Sequence, residues 1–322
     1  MTAPETPPSP IGRFEIPLAA LLAAACLSAV FLLPLIGAFG VPMAAIPLVR
    51  LAHRRDTLAA FVGCALTAAI ALGLGWAAGG WTQAIALAVL AGIVTAIPTA
   101  GVAFLRAGVD PSRCYLGVCL AGCGLLAAAF TAATGSSIAA EAAGEFDRMT
   151  PAIVDSYSRS GADAETVTSV RAALHGAREI ARLYLWGIFG ALWVLGSAVA
   201  FYAGAAGARP RPTADAARFE RLRVPAAAAG LFVASGAVFA GLPGEPRRAA
   251  GNLLLPLLAL FFVAGLSIIC HFFRRWFRSR ILRAVLYALA SYFPINLGVA
   301  LLGLFDWYVD FRRRGQGVTE SS

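Results

Sequence analysis

The chain has 322 residues, 59% of them hydrophobic and 13% charged, with a mean hydropathy of +0.76. An ordinary soluble domain carries about 25% charged residues, so this composition excludes a chain that meets water over most of its surface. The net charge of +9 comes entirely from arginine, since the chain has no lysine; the arginines fall between apolar runs, where the positive-inside rule puts them, and this argues against a nucleic-acid-binding surface.

In chain order, residues 1–12 are rich in Pro, Thr and Ser and read as a disordered cytoplasmic tail. A first apolar run spans Ile16 to Leu33. Ala23-Ala24-Ala25-Cys26 looks faintly like a lipoprotein cleavage site, but the leucine stands one place too early. The run also continues past Cys26, so it is read as a retained helix rather than a signal peptide. Pro34 and Gly37 to Gly40 predict a turn, and a second helix with Pro42 and Pro47 ends in Arg50, His53, Arg54 and Arg55. That basic cluster places the N-terminus inside if both preceding runs cross. The third run is Thr57 to Trp76. The fourth is Ile85 to Leu105, with Thr95, Pro98 and Thr99 in its second half; there the threonine hydroxyls or neighbouring helices are expected to satisfy the carbonyl that proline frees. The fifth run is Cys114 to Ala133, which completes a first membrane block over 13–135.

Residues 136–182 form the one long polar stretch, with seven acids and five arginines. Val167, Val170, Leu174, Ala177 and Ala181 recur at helical spacing, and Ser160-Gly161 breaks this helix from one around Glu141 to Tyr157. The reading is an extracytoplasmic amphipathic helical hairpin. A second membrane block, 183–311, holds runs six to nine: Leu183–Ala206, Val224–Leu242, one from Asn252 to Phe273, and Leu282–Phe305. Each is about 20 residues, the length that spans a hydrocarbon core of about 30 Å. Arg274, Arg275, Arg278, Arg280 and Arg283 separate the last two. Residues 312–322 are a basic, then polar tail. Nine crossings put Arg312 to Arg314 outside, against the rule, unless the last run breaks at Pro294 and returns or an early run does not cross. The expected fold is therefore an all-α, polytopic transmembrane bundle of eight or nine crossings with one extracytoplasmic hairpin.

The chemistry-bearing motifs of common enzymes are absent. There is no P-loop, no HExxH and no GxSxG. The three histidines are scattered, with His53 placed in a basic loop. Six cysteines lie in or beside apolar runs without a CxxC pair; Cys119 and Cys123 share a face that has no histidine or carboxylate, so neither metal nor disulfide framework is expected. No enzyme activity and no cofactor are expected. Glu141, Glu145 and Asp147 read as a solvated charged face. Polar residues inside the apolar runs are the better candidates, because lipid makes them expensive. They are Asn296, Asn252, Thr95, Thr99 and Asp306. The competing reading for Asn296 is an interhelical hydrogen bond. For Asp306 and Asp310, followed by Arg312 to Arg314, it is an ion-pair cap that anchors the helix at the interface.

The order of Asn252, an apolar helix with Gly265, an arginine-rich linker and Gly303-Leu-Phe-Asp306-Trp-Tyr-Val-Asp310-Phe-Arg312 resembles the YybS-like family of bacterial membrane proteins. The first half, with its Pro-Gly turn and proline-containing second helix, and the polar hairpin agree with it, so the resemblance covers nearly the whole chain. That family is similar to the S components of energy-coupling-factor transporters. The resemblance implies a solute-binding module in the bacterial cytoplasmic (inner) membrane, multi-pass with its N-terminus inside, that docks on a coupling subunit with ATPases. It also implies a small-residue docking face on the first helix, matched here by Ala20 and Ala24 (and by Ala19 and Ala23), since small residues let helix backbones approach closely. The rival expectation is a membrane scaffold without transport that binds envelope or division proteins through the hairpin.

Overall fold

A computed structural model describes residues 11–32, 41, 43–134, 138–208, 212–277, 279–292, 294–309 and 311. Among the described residues every regular element is helical. The chain divides into two compact units, one of Met1–Leu126, Trp193–Val224 and Phe261–Ser322, the other of Ala127–Leu192 and Pro225–Leu260.

In the first unit, helix α1 (Ile11–Leu32) buries Ala19, Ala20, Ala23, Ala24 and Leu27 along one stripe. Helix α2 (Ile46–Arg54) has nine residues and measures about 14 Å, too short to cross a bilayer by itself. It starts where Pro47 costs no hydrogen bond, in the first turn. Asp56 caps α3 (Thr57–Gly79) by accepting from the Ala59 N–H at 2.5 Å. Ala60, Gly63, Cys64, Thr67, Ala71 and Gly75 make a buried small-residue stripe on α3. Gly80, at φ +85°, then turns the chain into α4 (Trp81–Arg106), where a Cβ on Gly75 would stand 2.7 Å from the Ala84 backbone. The pair packs at backbone contact, as small residues permit when the hydrophobic effect no longer drives association. Arg106, at the end of α4, donates to the carbonyls of Ala52 and Arg55 at 2.6 and 2.9 Å and so closes the C-terminal end of α2.

Helix α5 (Pro111–Thr134) starts under an Asp110 cap, whose carboxylate accepts from Ser112 and Arg113 at 2.9 and 3.1 Å. Helix α6 (Ile138–Arg159) is followed by Gly161 at φ +81° and by α7 (Ala164–Gly207). The break expected at Ser160-Gly161 is present. Val167, Val170, Leu174 and Ala177 are half-buried and Ala181 is buried, so the stripe read from spacing is the packed face. Helix α7, however, runs 44 residues, about 66 Å, straight through Arg182 and Leu183. The polar segment and the sixth apolar run are one helix, because no proline stands at that junction and nothing stops the helix there.

Tyr115 of α5 donates to Val194 O of α7 at 2.7 Å, and Trp193 donates back to Val118 O at 3.1 Å. A short helix α8 (Pro212–Ala216) and a 3₁₀ turn over Phe219–Arg221 precede α9 (Ala226–Gly241), α10 (Glu245–Trp276), α11 (Arg280–Ala290) and α12 (Ile295–Val309). Among the described residues, five helices are long and apolar enough to cross a membrane: α3, α4, α5, α7 and α10. Taking α11 and α12 as one broken span gives six. Phe14–Leu27 of α1 and α9 are apolar but shorter. Among the described residues, five or six helices therefore have full spanning length.

Candidate functional site

The last apolar run does break beside Pro294. Helices α11 and α12 meet at 91°. At about 16 and 22 Å, neither spans a hydrocarbon core alone. Helix α12 crosses α10 at two glycines. A Cβ on Gly265 would overlap Val299 O and stand 2.8 Å from the Val299 carbonyl carbon; a Cβ on Gly303 would overlap Phe261 O and stand 2.6 Å from Gly265 N. The two backbones therefore touch. Asn296, Val299, Gly303 and Asp306 follow one another at spacings of 3, 4 and 3, which puts them on one face of α12. Val299 and Gly303 fill the crossing, so Asn296 and Asp306 flank it, about 15 Å apart along the axis.

Asn296 sits in the first turn after the break, its N–H donating to Tyr292 O at 3.0 Å. Its side-chain Oδ1 is buried and accepts no hydrogen bond among the described residues. Leaving such a group unsatisfied costs about 1–3 kcal/mol. The unpaired carbonyl lies in the first turn after a helix break, which is where membrane proteins place polar recognition groups. Asp306 is half-buried near the other end of α12. Asp310 and Arg312 to Arg314 lie outside the described residues, so the expected ion-pair cap does too.

The other candidates are positioned differently. Thr95 and Thr99 are fully buried, and their hydroxyls donate to Ala91 O at 2.6 Å and Thr95 O at 2.8 Å, each one helical turn back. They do not reach Val94 O, the carbonyl whose normal partner Pro98 removes; Thr99 also accepts a long contact, 3.7 Å, from the Cys64 thiol. Both hydroxyls are thus engaged within the α3–α4 pair. In the second unit, Asn252 of α10 uses its whole amide on backbone. Its Oδ1 accepts from Gly187 N at 2.7 Å, and its Nδ2 donates to Leu183 O at 2.7 Å and to Arg248 O at 2.9 Å. Gly187 N and Leu183 O are natural i, i−4 partners within α7, so the amide engages both poles of one rung of the helix ladder. Gly187 permits this, since a Cβ there would stand 2.8 Å from Asn252 Cα. Asn252 clamps helices rather than presenting a free amide.

Ala20 and Ala24 are 0% and 4% exposed, packed inside the chain's own unit, where Ala20 O accepts from Thr67 at 3.5 Å. Among the described residues, the exposed large apolar side chains of α1 are Phe14, Leu18, Leu21 and Leu22. His53 is not in a loop: it lies in α2 and is 2% exposed. Burial, and then the Arg106 guanidinium, push its imidazole down to about 4. All six cysteines are free, and no group of three or more His, Cys, Asp or Glu able to hold a metal occurs among the described residues. Spacing alone missed Gly122, where a Cβ would overlap the Trp193 indole, and Arg106; each acts on a residue more than 45 positions away.

Residues 20–307 match the family model described as a predicted membrane protein (DUF2232). The chain belongs to this family. No curated protein and no solved structure matches it. The DUF2232 match begins at Ala20 in α1 and closes at Trp307 in α12, so every candidate residue from Ala20 to Asp306 falls inside it, whereas Asp310 and the terminal arginines do not. This DUF2232 member is thus a helical membrane protein whose most exacting backbone contact, Gly265 against Gly303, lies near the end of the matched segment.

Proposed function

We propose that this chain is a non-enzymatic, multi-pass solute-binding or transport module, built like an S component of the bacterial cytoplasmic membrane with its N-terminus inside. The observation that supports this best is the buried Asn296 Oδ1, which accepts no hydrogen bond among the described residues and follows a 91° break in an apolar run. A solute offering an N–H or O–H donor would satisfy that oxygen, and Asp306, on the same face of α12, would favour a solute with a cationic part reaching the far side of the crossing. Thr95, Thr99 and Asn252 take structural roles in this reading. A coupling subunit would have to meet a face of α1 other than Ala20 and Ala24. The test is complementation of a deletion strain: Asn296→Ala and Asp306→Ala should each fail to restore uptake or growth while the proteins insert normally. Full complementation by both would remove the proposed site.

A second reading has its own observation. Helices α6 and the first half of α7 carry an exposed charged surface held in register by Asp147 and Arg178, which meet in an ion pair at 2.7 Å and a hydrogen bond at 2.9 Å. Such a hairpin suits a scaffold that binds envelope proteins. Deleting residues 136–182 would then abolish function with insertion intact, and normal function would exclude the scaffold.

A further inference from the structure

A concavity lies at the arginine-rich end of α10, in the first unit and apart from Asn296. It is a shallow, open depression of about 450 Å³, lined by Cys270 and Arg274 of α10 and by Arg283, Ala284 and Tyr287 of α11. That volume lies within the range of small-ligand sites, about 300–1,000 Å³. Its lining positions recur at i, i+4 on both helices, so each helix turns one face to it. The back wall is fixed. The Tyr287 ring lies 5.6 Å from the Phe273 ring. Arg274 is held by an ion pair with Glu220.

Arg283 differs. It is half-buried, and among the described residues no carboxylate pairs with it. A guanidinium offers a planar fork of donors that matches the oxygens of a phosphate, and a half-buried one loses less to solvent screening than a surface charge. On the same helix, Ile281, Val285 and Leu289 stand at i, i+4 and i+8 and are 79%, 58% and 52% exposed. The pocket-lining positions and the apolar stripe therefore occupy different faces of one short amphipathic helix. Free phosphate and a phospholipid headgroup would both meet Arg283; the exposed apolar face of α11 favours the phospholipid, because such a helix lies at the membrane surface with its polar face among the headgroups. The positive-inside rule assigns this end of α10 to the cytoplasmic leaflet, where anionic lipids gather against basic residues.

We propose that the Arg274–Arg283–Tyr287 pocket binds the phosphate-bearing headgroup of an anionic phospholipid, with Arg283 as its principal ligand. The site does not depend on the solute reading. The test is native mass spectrometry of the full chain released from nanodiscs containing phosphatidylglycerol and phosphatidylcholine in equal amounts. Wild type should retain phosphatidylglycerol preferentially. Arg283→Gln should weaken that retention about fivefold, the ratio for losing one basic residue's attraction to an anionic surface. Ala284→Trp fills the pocket with both arginines in place, so it should do the same even if Arg283→Gln does not fold. Arg113→Gln, an exposed arginine elsewhere, should match wild type. Equal retention of the two lipids by wild type would overturn the proposal. So would wild-type retention by Ala284→Trp, or displacement of phosphatidylglycerol by inorganic phosphate, which would make the site one for a free anion.

Discussion

Adding one methyl group at Gly265 should loosen the C-terminal bundle, and the size of the effect follows from what the methyl would meet. The built Cβ overlaps the carbonyl oxygen of Val299 and lies 2.8 Å from its carbon, so the obstacle is the backbone of α12 and not the tip of a flexible side chain. Helix α12 must retreat by roughly an ångström, which also separates Gly303 from Phe261. Overpacking of this kind costs about 1–3 kcal/mol, and a rigid obstacle puts Gly265→Ala at the upper end, about 3 kcal/mol. Gly298→Ala on the same helix is the control, because nothing lies within 4 Å of its Cβ. There, relief from glycine's backbone entropy should stabilise by about 0.5–1 kcal/mol. The assay is unfolding of both variants in mixed micelles, followed by helical circular dichroism. Gly265→Ala should unfold at a clearly lower denaturant fraction than wild type and Gly298→Ala at or above it. Equal midpoints for the two variants would refute the backbone contact between α10 and α12.

Two further effects follow. Asn252→Ala removes three side-chain hydrogen bonds, those with Gly187 N, Leu183 O and Arg248 O; a loss of about 1–3 kcal/mol in the same assay is expected, with Asn252→Leu no better, since its methyls cannot bond Gly187 N. The second concerns pH. His53 is neutral in the folded chain down to about pH 4, whereas the unfolded chain takes up a proton near 6.5. The unfolded state therefore binds more protons between these values, so this residue's contribution is complete above pH 6.5 and is lost as pH falls towards 4, by on the order of 3 kcal/mol. Unfolding midpoints from pH 7 to 4 should fall more steeply for wild type than for His53→Asn, and parallel slopes would show that His53 is not buried as described.

Hydropathy made the membrane class and several helices legible. The run Thr57–Trp76 became α3, Ile85–Leu105 became the body of α4, and Pro294 marked the break in the last run. The stripe from Val167 to Ala181 was legible because an amphipathic helix writes its packed face into its spacing. Other features were not, for physical reasons. The continuity of α7 across Arg182 was hidden because helices tolerate a change from polar to apolar sequence without a break in hydrogen bonding. The second run looked long enough to cross, but the helix over its end, α2, has nine residues and is held by Arg106, 52 positions beyond its last residue. Ala20 and Ala24 had the spacing of a docking face, but any small-residue stripe serves an internal neighbour equally well. Asn296 and Asn252 looked alike in sequence. One has an unpaired buried oxygen and the other a fully engaged amide, and only the tertiary partners of Asn252, 65 and 69 residues away, separate them.

The measurement that bears most directly on solute binding is native mass spectrometry of the wild-type chain and Asn296→Ala, each purified gently from its own host. A small polar solute should be retained by the wild type and lost from Asn296→Ala, with bound phospholipid unchanged. A wild type that carries no solute and comes bound to envelope proteins, or an Asn296→Ala protein that keeps the solute, would contradict it.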